Sequence, residues 1–253
     1  MLRKRLIPIL LLKNEALVKG KNFDNYRYLG DSMNTIKIFN EKMADELIFI
    51  DIEATKSNKL IDINFVKDVA DECYMPFTVG GGIKSIDDIK RILGAGAEKV
   101  SINSQSIIDK HFIKEASRFF GSQSIVVSLD VNKDWFGRRK VVYHCAKKKT
   151  KLDPIKWAME LQELGAGEIL LNMVYNDGQM NGYDTHFIDS ISSKLKIPLI
   201  AAGGAGTDTH LRELFRVTTA SAAAAGSLFI FHGSKKAFLV NYPDYEKKLE
   251  IVK

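Results

Sequence analysis

Val79-Gly80-Gly81-Gly82 and Ala202-Gly203-Gly204-Ala205-Gly206 each follow a short apolar run, each precede a capped helical pattern, and lie about half a chain apart. Glycine permits positive φ and lets backbone N–H groups approach an oxyanion, and a helix that follows points its positive end toward the same place. One such turn is as well explained as a tight strand-to-helix connection. Two in register, each backed by a second small polar turn at Asn103-Ser104 and Gly226-Ser227, point to two phosphate seats in a duplicated half-structure.

Working outward from these turns, short continuous apolar runs recur at 6–11, 47–52, 76–79, 99–102, 124–130, 168–173, 198–202 and 221–225. Runs of this kind, without strict alternation, are what parallel strands buried on both faces require. Amphipathic stretches at 62–73, 86–93, 107–119, 154–164, 185–195 and 208–215 separate them, several opened by capping residues: Ser85, Asp153 with Pro154 at the first helical position, and Thr207. Eight strands with intervening helices predict a single (β/α)₈ TIM barrel over residues 1–253, with an internal half-barrel duplication. The first twelve residues are basic and then apolar, but the run is short, contains Pro8 and lacks a small-residue cleavage site, so it reads as the first buried strand.

Composition excludes several classes. At 45% hydrophobic and 27% charged residues, the chain suits a soluble globular domain. The net charge of +6 is spread among acids, and its densest run, Lys147-Lys148-Lys149-Thr150-Lys151, reads as a solvated loop; neither nucleic acid nor membrane is an expected partner. Cys73 and Cys145 have neither metal nor disulfide spacing, and His111, His144, His186, His210 and His232 share no metal pattern, so no metal or cofactor is expected. Free thiols fit a cytoplasmic setting.

Barrel enzymes place chemistry at the C-terminal mouth, where Asp130 closes the fifth run as a candidate general acid or base. Its symmetry mate in the first run is Leu11, which offers no second carboxylate. Asp51 and Asp177, the latter followed by Gly178, also face the mouth by this register, with a loop-anchoring role left open. At the opposite end, Arg5, Glu46, Lys99 and Glu168 stand at strand starts; spacing alone favours solvated ends over an ion-pair ring. Trp135 and Phe136, in a basic loop, suit either a lid or a partner contact.

Six segments then carry a resemblance: Phe77-Thr78-Val79-Gly80-Gly81-Gly82-Ile83, Glu98-Lys99-Val100-Ser101-Ile102-Asn103, Phe120-Gly121-Ser122-Gln123, Gly165-Ala166-Gly167-Glu168-Ile169-Leu170-Leu171, Gly182-Tyr183-Asp184 and Gly203-Gly204-Ala205-Gly206. Nearly end to end, the chain resembles the cyclase-subunit family of imidazole glycerol phosphate synthase, the lyase barrel of histidine biosynthesis. The resemblance implies a glutaminase on the N-terminal face, ammonia passage through the core, and Arg5, Glu46, Lys99 and Glu168 as the gate. It implies Gly81, Gly82, Asn103 and Ser104 at one phosphate of a phosphorylated ligand, and Asp177, Gly178, Gly203, Gly204, Gly226 and Ser227 at the other.

Two departures bear on the reaction. The family's acid in the first strand is Leu11 here, while Asp130 is kept; and its Asp-Arg-Asp-Gly turn is Tyr175-Asn176-Asp177-Gly178, preceded by the altered Asn172 and Met173. The pattern, together with Leu11-Leu12-Lys13 and Asn241-Tyr242-Pro243, is similar to a branch of the family found in surface-polysaccharide gene clusters. That likeness implies ammonia delivery to a third protein, a sugar-modifying amidotransferase.

Overall fold

In a computed structural model, which describes residues 3–233 and 237–253, the apolar runs assemble into one closed parallel barrel. Its strands are β1 (Arg5–Lys13), β2 (Leu47–Asp51), β3 (Phe77–Gly80), β4 (Lys99–Ile102), β5 (Ile125–Lys133), β6 (Glu168–Met173), β7 (Leu199–Ala202) and β8 (Ala222–Ala225). Each pairs with the next in parallel and β8 returns to β1, so no barrel edge is left open. The expected (β/α)₈ architecture is what the chain adopts.

Alternation along the strands divides the apolar residues between two layers. Leu6, Leu10 and Leu12 of β1 point outward, into the layer shared with the helices, as do Phe49 of β2 and Ala223 and Ala225 of β8. Ile7, Ile48, Val126, Leu170, Ile200, Ala222 and Ala224 fill the barrel interior. The alanines of β8 leave that interior thinly filled along one side.

The outer layer consists of α1 (Ser32–Glu41), α2 (Ile63–Glu72), α3 (Ile86–Gly94), α4 (His111–Phe120), α5 (Pro154–Glu163), α6 (Thr185–Ser192), α7 (Asp208–Val217) and α8 (Tyr245–Val252). Ser85 and Asp88 form a reciprocal capping box on α3, Asp153 caps α5 ahead of Pro154, and the Thr207 side chain caps α7.

Several boundaries differ from the sequence reading, which also lacks α1 and α8, and three of the differences are the largest. The helix expected over 107–119 is two, Ser104–Ile108 and α4, because Asp109 turns extended and its carboxylate accepts the His111 N–H at 3.0 Å, competing with helix continuation. β1 and β5 run past Leu11 and Asp130, since each folds back on an antiparallel strand: Ala16–Lys21 beside β1, itself paired with Asp24–Gly30, and Arg139–Tyr143 beside β5. Both hairpins rise from the C-terminal end of the barrel and build its rim. Third, α6 ends at Ser192 rather than continuing to 195.

Candidate functional site

A cavity of about 300 Å³ opens at the C-terminal mouth, directly above the interior layer. Both glycine turns line it, at Gly80, Gly81 and Gly82 after β3 and at Gly203 and Gly204 after β7. The small turns after β4 and β8 join them through Asn103, Ser104, Gly226 and Ser227, and the loop after β6 adds Asp177 and Gly178. All ten residues expected at the phosphate seats therefore border one space.

Glycine is required at Gly82, where φ is +72° and a Cβ would overlap the Lys59 carbonyl. The N–H groups of Lys84 and Ser85 are tied to Asp88 Oδ2 at 2.9 Å each, and the Gly206 N–H is spent on His210 Nδ1 at 3.2 Å. These groups are therefore committed to the helix caps, and the faces offered to a ligand are those of the glycines themselves.

Asp130 sits on the cavity wall, only 6% exposed. Its carboxylate accepts from Ser128 Oγ and Asn103 Nδ2, each at 3.2 Å. Burial pushes its pKa up to about 7; hydrogen bonds from Ser128 and Asn172 oppose the shift and the nearby Asp177 charge adds to it. A carboxyl poised there can exchange a proton near neutrality.

The shift has a consequence for stability. Between the ordinary carboxylate value near 4 and 7, Asp130 is protonated when folded and ionised when unfolded, so rising pH removes stability across that window. Asp130→Asn is expected to gain on wild type by on the order of 3 kcal/mol between pH 4.5 and pH 8.5, measured by urea unfolding. A pH-independent difference would contradict the assignment.

Asp51 is a loop anchor: its Oδ1 accepts the N–H groups of Glu53 and Ala54 at 2.8 and 3.0 Å. Asp177 is paired with Lys19 at 2.8 Å, while its Oδ2 is buried with no partner among the described residues. Lys19 was not singled out from the sequence. It lies in the hairpin after β1, is 6% exposed, and its alkyl chain fills the space that a Cβ at Gly226 would need, with its Cε 3.0 Å from that position. Only the folding of that hairpin over the mouth brings it there.

At the floor, Arg5, Glu46, Lys99 and Glu168 meet. Arg5 bridges Glu46 at 2.6 Å and also Glu168, and Lys99 bridges Glu46 at 3.0 Å and Glu168 at 3.1 Å, closing a four-membered ring of alternating sign. Thr78 Oγ1 donates to Glu46 at 3.1 Å. The next residue back, Asp45, accepts the Leu6 N–H at 3.0 Å and pairs with Lys248 of α8 at 2.9 Å, so both flanks of the Arg5–Glu46 contact are fixed.

Trp135 and Phe136 occupy the tip of the β5 hairpin, 96% and 79% exposed, and do not line the cavity. Asp134 fixes that tip by accepting the N–H groups of Phe136 and Arg138, both at 2.9 Å. Among the described residues no cluster of His, Cys, Asp and Glu could hold a metal ion, and no helix is long and apolar enough to cross a membrane.

The histidine biosynthesis protein family matches residues 5–235. A Pseudomonas aeruginosa protein provisionally named imidazole glycerol phosphate synthase subunit hisF2 is 44% identical over 98% of both chains. The Streptococcus mutans imidazole glycerol phosphate synthase subunit HisF is 42% identical, covering 90% of this chain and 91% of its own. One named so from Hydrogenobaculum is 43% identical over 91% and 92%. With its barrel, mouth and floor described, the chain belongs to the HisF family of imidazole glycerol phosphate synthase subunits.

Proposed function

We propose that this chain is the ammonia-conducting subunit of a glutamine amidotransferase complex. A glutaminase docks on the N-terminal face, ammonia passes the Arg5–Glu46–Lys99–Glu168 gate, and it leaves at the mouth for a third protein, beside a phosphorylated ligand held at the two glycine turns. The observation that carries this reading is a complete ion-pair ring beneath a mouth whose second acid position is apolar: Leu11 is 8% exposed and clusters with Val18 and Ile52. Between them, Ser101 Oγ is buried on the cavity wall without a partner among the described residues, a polar foothold for a small hydrogen-bonding molecule. The acceptor in this reading is a third protein that amidates nucleotide-activated sugars for surface polysaccharide, and the complex is cytoplasmic.

A second reading, the histidine-pathway cyclase, is favoured by Asp130 and by the names of the relatives. The two separate on one assay: the histidine-pathway ribonucleotide with saturating ammonium salt. Loss of a general acid or base typically costs about 10²–10⁴-fold, so cyclisation by the wild-type chain is expected to be slower by that factor than by a relative with both acids. Leu11→Asp is expected to recover part of it if the remaining site is intact. Robust cyclisation by the unmodified chain would establish the cyclase instead.

A further inference from the structure

Around the closed barrel the strands follow the order β7, β8, β1, β2, β3, β4, β5, β6. The two glycine turns stand after β7 and β3, with their companion turns after β8 and β4. They are therefore separated on one side by β1 and β2, and on the other by β5 and β6. Those two sides differ in chemistry. The β5/β6 side presents Ser128, Asp130 and Asn172 to the cavity, with Asp177 in the loop beyond. The β1/β2 side presents Ile9, Leu11, Ile50 and Ile52, with Tyr26 of the first hairpin packed on the same cluster.

Leu11 is in register with Ile50, so the two apolar side chains are direct neighbours across the strand pair. Near this wall Asp51 Oδ1 takes the Glu53 and Ala54 N–H groups and the Lys19 ammonium pairs with Asp177, while Tyr26 also lines the cavity. A hydroxylated edge lying along Ile9, Leu11, Ile50 and Ile52 would give up water without gaining partners from these four side chains, whereas an apolar edge would be removed from water there.

We propose that the mouth selects a ligand that is anionic at both ends and amphipathic between them, its apolar edge lying on the β1/β2 wall and its hydrogen-bonding edge facing Ser128, Asp130 and Asn172. Leu11 is the residue that sets this specificity. The proposal rests on the reading of the glycine turns as anion seats and deepens it by naming the chemistry between them.

Two linear probes of equal length isolate the wall: hexane-1,6-diol bisphosphate and D-mannitol 1,6-bisphosphate, which differ by four hydroxyl groups. Both are titrated calorimetrically into the full chain, with inorganic phosphate as control. The readout is the ratio of their affinities, since the mannitol hydroxyls also reach Ser128, Asp130 and Asn172 and only the dependence of the ratio on Leu11 reports on the wall. Leu11→Asn is expected to shift that ratio at least fivefold toward the mannitol compound, and Leu11→Met to retain it. If Leu11→Asn does not fold, Ile50→Thr makes the same test. An unchanged ratio in a folded polar variant would overturn the wall while leaving the anion seats standing. Failure of both probes and of inorganic phosphate to bind would overturn the anion seats as well.

Discussion

Glu168→Leu is expected to destabilise the barrel and to uncouple ammonia passage from glutamine hydrolysis. Glu168, like Glu46, is shared by Arg5 and Lys99, and it is nearly buried, with 8% of its side chain exposed. Its loss leaves two cations converging on Glu46 alone. Removing one partner of a buried pair typically costs about 3–5 kcal/mol. Arg5 and Lys99 retain about a fifth of their side-chain exposure, so solvent takes up part of the freed charge and about 2–3 kcal/mol is expected, read from urea denaturation. Glu168→Gln keeps the shape and some hydrogen bonding and is expected to cost less. A ring with a purely structural task would show the stability loss alone. A gate would also show glutamine hydrolysis continuing while ammonia escapes to bulk solvent, measured as free ammonia trapped by an external coupling enzyme.

Gly82→Ala is the second large effect. The backbone at φ +72° disfavours any L-side chain by roughly 1–2 kcal/mol, and the added Cβ meets the rigid Lys59 carbonyl rather than a movable side chain. The turn must therefore move relative to Asn103 and Ser104, which line the same cavity. Thermal unfolding is expected several degrees lower than wild type, and inorganic phosphate affinity at least tenfold weaker. Normal phosphate binding in a folded Gly82→Ala protein would remove this turn from the anion seat.

The barrel was legible because its strands are buried on both faces and so read as uninterrupted apolar runs with turn and cap signals between them. The rim was not. The first hairpin turns at Asn22 and Phe23 with φ of +50° and +63°, a left-handed turn without the glycine that normally advertises one. The second turns first through 134–138, where Gly137 does mark it with φ of +75°, and then again through His144, Cys145 and Ala146, left-handed and without glycine. Because those hairpins were hidden, so was Lys19, whose approach to Asp177 depends on the first of them.

At the floor the individual charges were readable at strand starts, but their closure was not. Spacing along the chain says nothing about distances across a barrel, so by spacing alone solvated strand ends are the better reading of these residues. The glycine turns were readable from both ends of the problem, since each needs a left-handed backbone and each abuts a helix cap. Leu11 is legible as an apolar residue of the first run; that it belongs to an apolar wall emerges only when β1 is set beside β2.

Conduction of ammonia from a docked glutaminase is tested most directly by the glutaminase rate itself. The cognate glutaminase, assayed alone, with the barrel, and with the barrel plus a bis-anionic ligand, is expected to hydrolyse glutamine at least tenfold faster in complex, with Glu168→Leu releasing the ammonia to solvent. No stimulation by the barrel under any ligand would contradict the proposed function.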